Sequence, residues 1–207
     1  MINNIYKWVL FLGIITLGAF GCLHQSKNPP SAQVLELYDT CLRCHSSREM
    51  QRGPSLAGLD REYIYRQLGN FKKGIRGKNP INRSEALMGS VPLDYKDDLL
   101  EELADYISNL PSRPKFLSTE GDRDHGEFLY LDRCASCHDG TRAVNKDFGA
   151  PDLKKMEGWY IMLQLQHYRA GRRGYHPDDD SGKLMSAVVK DLSLTDFKDI
   201  VHYLERL

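Results

Sequence analysis

The sequence predicts an all-α protein made of two tandem copies of one domain. Three observations predict it. A shift of 97 residues lays residues 54–110 on 151–207 without a gap, and 17 of the 57 positions are identical. Apolar residues recur at helical spacing, and no segment alternates convincingly enough for a sheet. The copies are joined by Pro111-Ser112-Arg113-Pro114-Lys115, where two prolines preclude a continuous helix. The expected domains are residues 34–110 and 118–207, with 111–117 as linker.

The helices follow in order within each copy. Residues 36–40 and 126–133 read as short helices. Residues 63–73 and 159–170 have helical apolar spacing, and each ends in a Gly-rich segment suited to a C-cap. Residues 97–110 and 194–207 are amphipathic, with Leu103, Tyr106 and Leu110 on one face, matched by Ile200, Tyr203 and Leu207. A domain of this size has little core of its own and needs further apolar surface.

Composition narrows the class. Lys and Arg total 28 against 28 Asp and Glu, and a zero balance argues against a nucleic-acid partner. The apolar run at residues 8–20 is shorter than the roughly 20 residues a membrane span needs, which excludes a polytopic membrane protein. With Lys7 before it and a cleavage region of small residues, Gly18-Ala19-Phe20-Gly21, at its end, residues 1–21 read as an export signal. Cys22 follows directly, so the segment resembles a bacterial lipoprotein signal in which the cysteine carries the lipid. It departs from the pattern in having Ala19 where such signals usually have Leu. Simple cleavage nearby and an uncleaved short anchor are the alternatives. Residues 22–33 read as a tether.

The other four cysteines form two matched motifs, Cys41-Leu42-Arg43-Cys44-His45 and Cys134-Ala135-Ser136-Cys137-His138. Cys-x-x-Cys-His is the attachment site of c-type haem. Two thiols at that spacing can form thioethers to the two vinyl groups, and the adjacent histidine ligates the iron. The alternative is one zinc site of four thiolates. It does not explain why a histidine follows each pair, and four free thiols would be out of place in an exported protein. Two covalent haem c groups are therefore expected, and each would supply the apolar surface its domain lacks.

A haem with one histidine has an open sixth position. Met88 and Met185 match across the repeat, each in a Leu-Met pair before the last helix. They are the expected distal ligands, His45 and His138 the proximal ones, and thioether ligation raises the potential and closes the iron to small molecules. The alternative is two core methionines. Met50, five residues after His45, has no counterpart. Within the basic run Lys72, Lys73, Arg76 and Lys78, Arg76 matches Arg173. A guanidinium can bind a haem propionate through two parallel hydrogen bonds, so Arg76 and Arg173 are candidate cofactor contacts. Asp178-Asp179-Asp180 reads as a surface loop, not a calcium site. His167 and His176 are alternative haem ligands.

With Gly53-Pro54-Ser55-Leu56 after the first motif and a terminal helix after Met88, each copy resembles class I cytochrome c. The resemblance implies that the carbonyls of Pro54 and Pro151 accept a hydrogen bond from the proximal histidines. It also implies that Gly126 and Tyr130 pack on Ile200 and Tyr203. Gln33 and Leu37 stand at those places in the first copy, so that contact should differ there. Gln67-Leu68 through Gly74-Ile75-Arg76-Gly77 and Gln164-Leu165 through Gly171-Arg172-Arg173-Gly174 resemble the signature of the dihaem cytochrome c4 family.

The resemblance implies a periplasmic electron carrier, here expected on a lipid anchor at Cys22. Its partners would be redox proteins: a quinol-oxidising complex, a terminal oxidase or a dehydrogenase. The alternatives are the haem subunit of a flavin or molybdenum oxidoreductase, and a self-contained dihaem enzyme. The paired methionines argue against the enzyme.

Overall fold

The computed structural model describes residues 29–46, 51–91, 94–113, 116–140 and 149–207. The signal, Cys22, most of the tether, Met50 and the centre of the linker lie outside them. The described residues are helical, without strands. Domain 1 holds α1 (Ala32–His45), α2 (Arg61–Lys72), α3 (Arg83–Ser90) and α4 (Asp97–Ser108). Domain 2 holds α5 (Arg123–Arg133), α6 (Ala135–His138), α7 (Gly158–Arg169), α8 (Asp180–Val189) and α9 (Leu194–Leu204).

The first helix is longer than its sequence suggested. Ser31 Oγ accepts from the Val34 amide at 3.3 Å, which starts α1 early. No breaker follows, so the helix runs through both cysteines and His45. In domain 2 the chain turns at Cys134, which ends α5 and begins the four-residue α6. The Leu-Met pairs, expected before the last helix, lie there within helices of their own, α3 and α8. Asp179, part of the acidic run, caps α8 by accepting from the Gly182 amide at 2.9 Å. Gly74 and Gly171 take φ of +73° and +67° just past α2 and α7, the left-handed turn that closes a helix C-terminus.

The first and last helices of each domain pack together, and α2 or α7 lies against the last. In domain 1 the buried stripe of α4 is Leu100, Leu103, Ala104 and Ile107. Tyr106 meets Tyr38 edge-on with ring centroids 5.3 Å apart. In domain 2 Phe197, Ile200, Val201 and Leu204 are buried, whereas Leu207, expected on that face, lies past the end of α9 and is exposed. Gly126 touches the backbone of Asp199 and Ile200, and Tyr130 and Tyr203 have ring centroids 5.6 Å apart. That close crossing is absent from domain 1, where α1 and α4 make a looser contact. Glu205 ties down the start of domain 2 by accepting from the amides of Ser118 and Thr119 at 3.1 and 3.0 Å.

A β-carbon at Gly126 would collide with the carbonyl oxygen of Asp199. Gly126→Ala should therefore push α5 from α9 and destabilise domain 2 by about 1–3 kcal/mol. Denaturant unfolding that separates the two domains should show the loss in domain 2 alone.

Candidate haem sites and the interface between them

The two histidines of the Cys-x-x-Cys-His motifs are held alike. His45 Nδ1 lies 2.6 Å from the Pro54 carbonyl oxygen, and His138 Nδ1 lies 2.8 Å from that of Pro151. A carbonyl only accepts, so Nδ1 carries the proton and Nε2 keeps a lone pair for a metal. Burial lowers both pKa values, against the opposing pull of the prolyl carbonyls. Both rings are thus neutral imidazoles near pH 7. Gly53 packs against the His45 ring, where a β-carbon would strike it.

All four motif thiols are free of disulfides. Cys41 and Cys44 sit three residues apart on α1 and so share a face. Burial pushes the Cys41 thiol up to about 11 and the Cys134 thiol up to about 12. Both are neutral S–H groups at pH 7 when no metal or cofactor is bound. Among the described residues, no three His, Cys, Asp or Glu side chains gather as a metal cluster. The single four-thiolate site is therefore ruled out by the placement of its own donors. Each motif instead offers two thiols, a histidine of fixed tautomer and a prolyl brace, which fit a covalent haem. Met88 and Met185 are half-buried against the apolar core of their domains.

Arg76 and Arg173 are not surface residues; each is 6% exposed. They meet between α2 and α7 in an arrangement with approximate twofold symmetry. Arg76 donates to Gln67 Oε1 at 2.7 Å, and Arg173 to Gln164 Oε1 at 2.7 Å. Each also reaches across the interface, Arg76 to Gln164 and Arg173 to Gln67, both at 3.3 Å. Tyr160 OH accepts from Arg76 at 3.0 Å.

Glu85 breaks the symmetry. It pairs with Arg76 at 2.5 Å and lies 3.8 Å from Arg173 and 3.9 Å from His167 Nδ1. Its counterpart in domain 2 is Gly182. Burial opposes its charge, but the Arg76 guanidinium beside it wins and holds the carboxyl well below the usual range. Arg76 Nε and Glu85 Oε2 are buried and unpartnered. His167, considered above as a ligand, is 2% exposed in this cluster. His176 Nδ1 accepts from the Asp178 amide at 3.2 Å.

Residues 124–207 match the family model for cytochrome c. Cytochrome c4 of Azotobacter vinelandii is 23% identical over 94% of this chain and 96% of its own length. The thiosulfate dehydrogenase electron acceptor of Stutzerimonas stutzeri is 27% identical over 73% of each chain. The structure of Acidithiobacillus ferrooxidans cytochrome c4 superimposes with a TM-score of 0.61 at 23% identity, over 82% of this chain and 99% of that one. Over most of its length the chain is similar to cytochrome c4, and it is a dihaem cytochrome. Its fold is two tandem class I cytochrome c domains, and it carries electrons rather than catalysing a reaction.

The sequence reading of this dihaem cytochrome missed Glu85 and the partnership of Gln67 with Gln164. The glutamines were visible as a matched pair, but nothing in one chain says that matched positions face each other. Glu85 had no such signal, because glycine stands opposite it.

Glu85 has a depressed folded pKa, so its contribution to stability is present above its ordinary value of 4.5 and is lost as pH falls below it. Glu85→Gln should remove that acid limb. At neutral pH it should also cost about 3–5 kcal/mol, because Arg76 is left buried without its carboxylate. Denaturant midpoints of both proteins between pH 3 and pH 7 would test both effects.

Proposed function

We propose that this protein shuttles electrons on the periplasmic face of a bacterial membrane, with one haem held in each domain. Cys41 and Cys44 hold the first haem through thioethers, and Cys134 and Cys137 the second. His45 and Met88 ligate one iron, His138 and Met185 the other. A haem bound this way supplies reversible one-electron redox chemistry at its iron. The observation that carries the reading is the repeated contact between histidine Nδ1 and a prolyl carbonyl. It sets the same tautomer twice, beside two thiols each time.

Pro54 and Pro151 orient the proximal rings. Arg76 and Arg173 bring two guanidiniums to one carboxylate, and the unpartnered Nε of Arg76 supports a haem propionate as the further anion. Leu87 and Leu184, next to the two methionines, are 59% and 44% exposed. Apolar surface there suits brief docking of a redox protein. The partner is a quinol-oxidising complex, a terminal oxidase or a dehydrogenase. The likeness to a thiosulfate dehydrogenase electron acceptor favours a dehydrogenase as donor, with this chain as a separate carrier or a bound subunit. Cys22 carries the lipid anchor. No helix among the described residues is long and apolar enough to cross a membrane.

The exported protein should carry two haem masses that survive acid–acetone extraction, and neither ferrous haem should bind carbon monoxide readily at neutral pH. Met88→His and Met185→His should each remove about half of the near-infrared sulfur-to-iron band and lower one potential. An undiminished band after either change would show that another group ligates that iron.

Cys22→Ser should release soluble dihaem protein or leave the precursor unprocessed, since multiple acyl chains are what make such anchoring stable. A mature N-terminus beyond Cys22, found by mass spectrometry, would rule the lipid out.

A further inference from the structure

Asp60 and Glu157 occupy the N-cap positions of α2 and α7 and match each other across the repeat. A carboxylate there ordinarily accepts from the first amides of its own helix. Neither does so. Each reaches instead into the other domain. Glu157 Oε2 accepts from the Ser55 amide at 2.8 Å, and Asp60 Oδ2 accepts from the Asp152 amide at 2.7 Å. Ser55 and Asp152 are themselves matched positions, so the two bonds are related by the same approximate twofold.

The recipients are not arbitrary amides. The Ser55 N–H and the Pro54 C=O belong to one peptide unit, as do the Asp152 N–H and the Pro151 C=O. Those carbonyls are the acceptors for His45 and His138. Across a trans peptide the N–H and C=O point in opposite directions. Each chain of contacts therefore runs carboxylate, peptide, imidazole in a line.

We propose that each domain's carboxylate tunes the proximal histidine of the other domain through that shared peptide. A negative charge on the N–H side polarises the amide and makes its carbonyl oxygen a stronger acceptor. The stronger acceptor draws the Nδ1 proton and makes Nε2 a better electron donor, as partners of metal-bound histidines do. A more basic ligand, with negative charge nearby, stabilises the ferric state. Glu157 is thus a positioning residue for the haem of domain 1, and Asp60 for the haem of domain 2.

The two relays are unequal. Asp60 also pairs with Lys155 at 2.6 Å, whose charge offsets its own. Glu157 has instead the neutral amide of Gln51, at 2.6 Å. The histidine contact on the Glu157 side is the shorter, 2.6 Å against 2.8 Å.

This inference rests on His45 and His138 being the proximal ligands, and the test separates the two ideas. It uses the full dihaem protein, with Glu157→Gln and Asp60→Asn, which keep an acceptor oxygen and lose the charge. The readouts are the two midpoint potentials and the Nδ1–H resonances of His45 and His138 in the ferrous protein. Glu157→Gln should raise one potential and move the His45 signal upfield, with His138 unmoved. Asp60→Asn should give the mirror result with a smaller shift. Glu157→Asp, which keeps the charge with a shorter reach, should fall between wild type and Gln. If wild-type His45 and His138 lack the ring-current shifts of haem-bound histidines, the ligand assignment fails and the relay with it. If those shifts are present but neither Nδ1–H signal moves, or both move together in each variant, the relay alone is overturned.

Discussion

The hydrogen bond from a histidine N–H to a prolyl carbonyl, made once in each domain, is the constraint on which the rest of this molecule depends. It selects the tautomer, so it decides which ring nitrogen is available to iron. It also fixes where the loop after each Cys-x-x-Cys-His motif must return, because the carbonyl has to meet a ring about nine to thirteen residues earlier. Gly53 is required at the first return because a side chain would occupy the volume of the His45 ring. The start of α2 and of α7 follows a few residues later, and those two helices build the interface between domains.

That interface carries an uneven burden of charge. Two buried guanidiniums face one carboxylate, and the glutamines that share them are neutral. A buried ion pair is weak support for stability in itself, since desolvation offsets much of its attraction. Here the bonds are directional and doubly used: each glutamine oxygen accepts from its own domain's arginine and from the other's. Such a pattern specifies one mutual orientation, because a slid or rotated domain would leave several polar groups buried without partners. For a carrier with two redox centres, a defined orientation keeps the path between them constant.

Much of this was legible in the sequence, and what was not has physical reasons. The haem motifs are short-range chemistry, so Cys41, Cys44, His45 and their counterparts could be read directly. The repeat exposed Pro54, Met88 and Arg76 by matching them to Pro151, Met185 and Arg173. Helix α3, at eight residues, is too short for its periodicity to stand out, so Met88 was placed only as lying before the last helix. Arg76 drew notice for the right reason, its match, and was given only one partner, a propionate. Its protein partners come from residues 9 to 88 positions away, on helices that sequence alone does not bring together. Asp60 and Glu157 were hidden by their positions. At a helix start each has a local role to offer, and only the structure shows that both decline it.

At the interface between the domains, the departures from twofold symmetry involve charge. Glu85 faces no counterpart in domain 2, where Gly182 stands. Lys155 compensates Asp60, while Gly58 occupies the matching place on the other side. The symmetric contacts, guanidinium to glutamine and carboxylate to peptide, hold the two halves in register. The asymmetric ones, Glu85 and Lys155, put a charge where the matching position carries glycine. A difference of about 1.4 kcal/mol changes an equilibrium tenfold, so one uncompensated charge close to a redox centre would bias it. Two sites copied from one ancestor would share an electron evenly. Uncopied charges are the means by which such a scaffold would come to favour one of them and so acquire a direction.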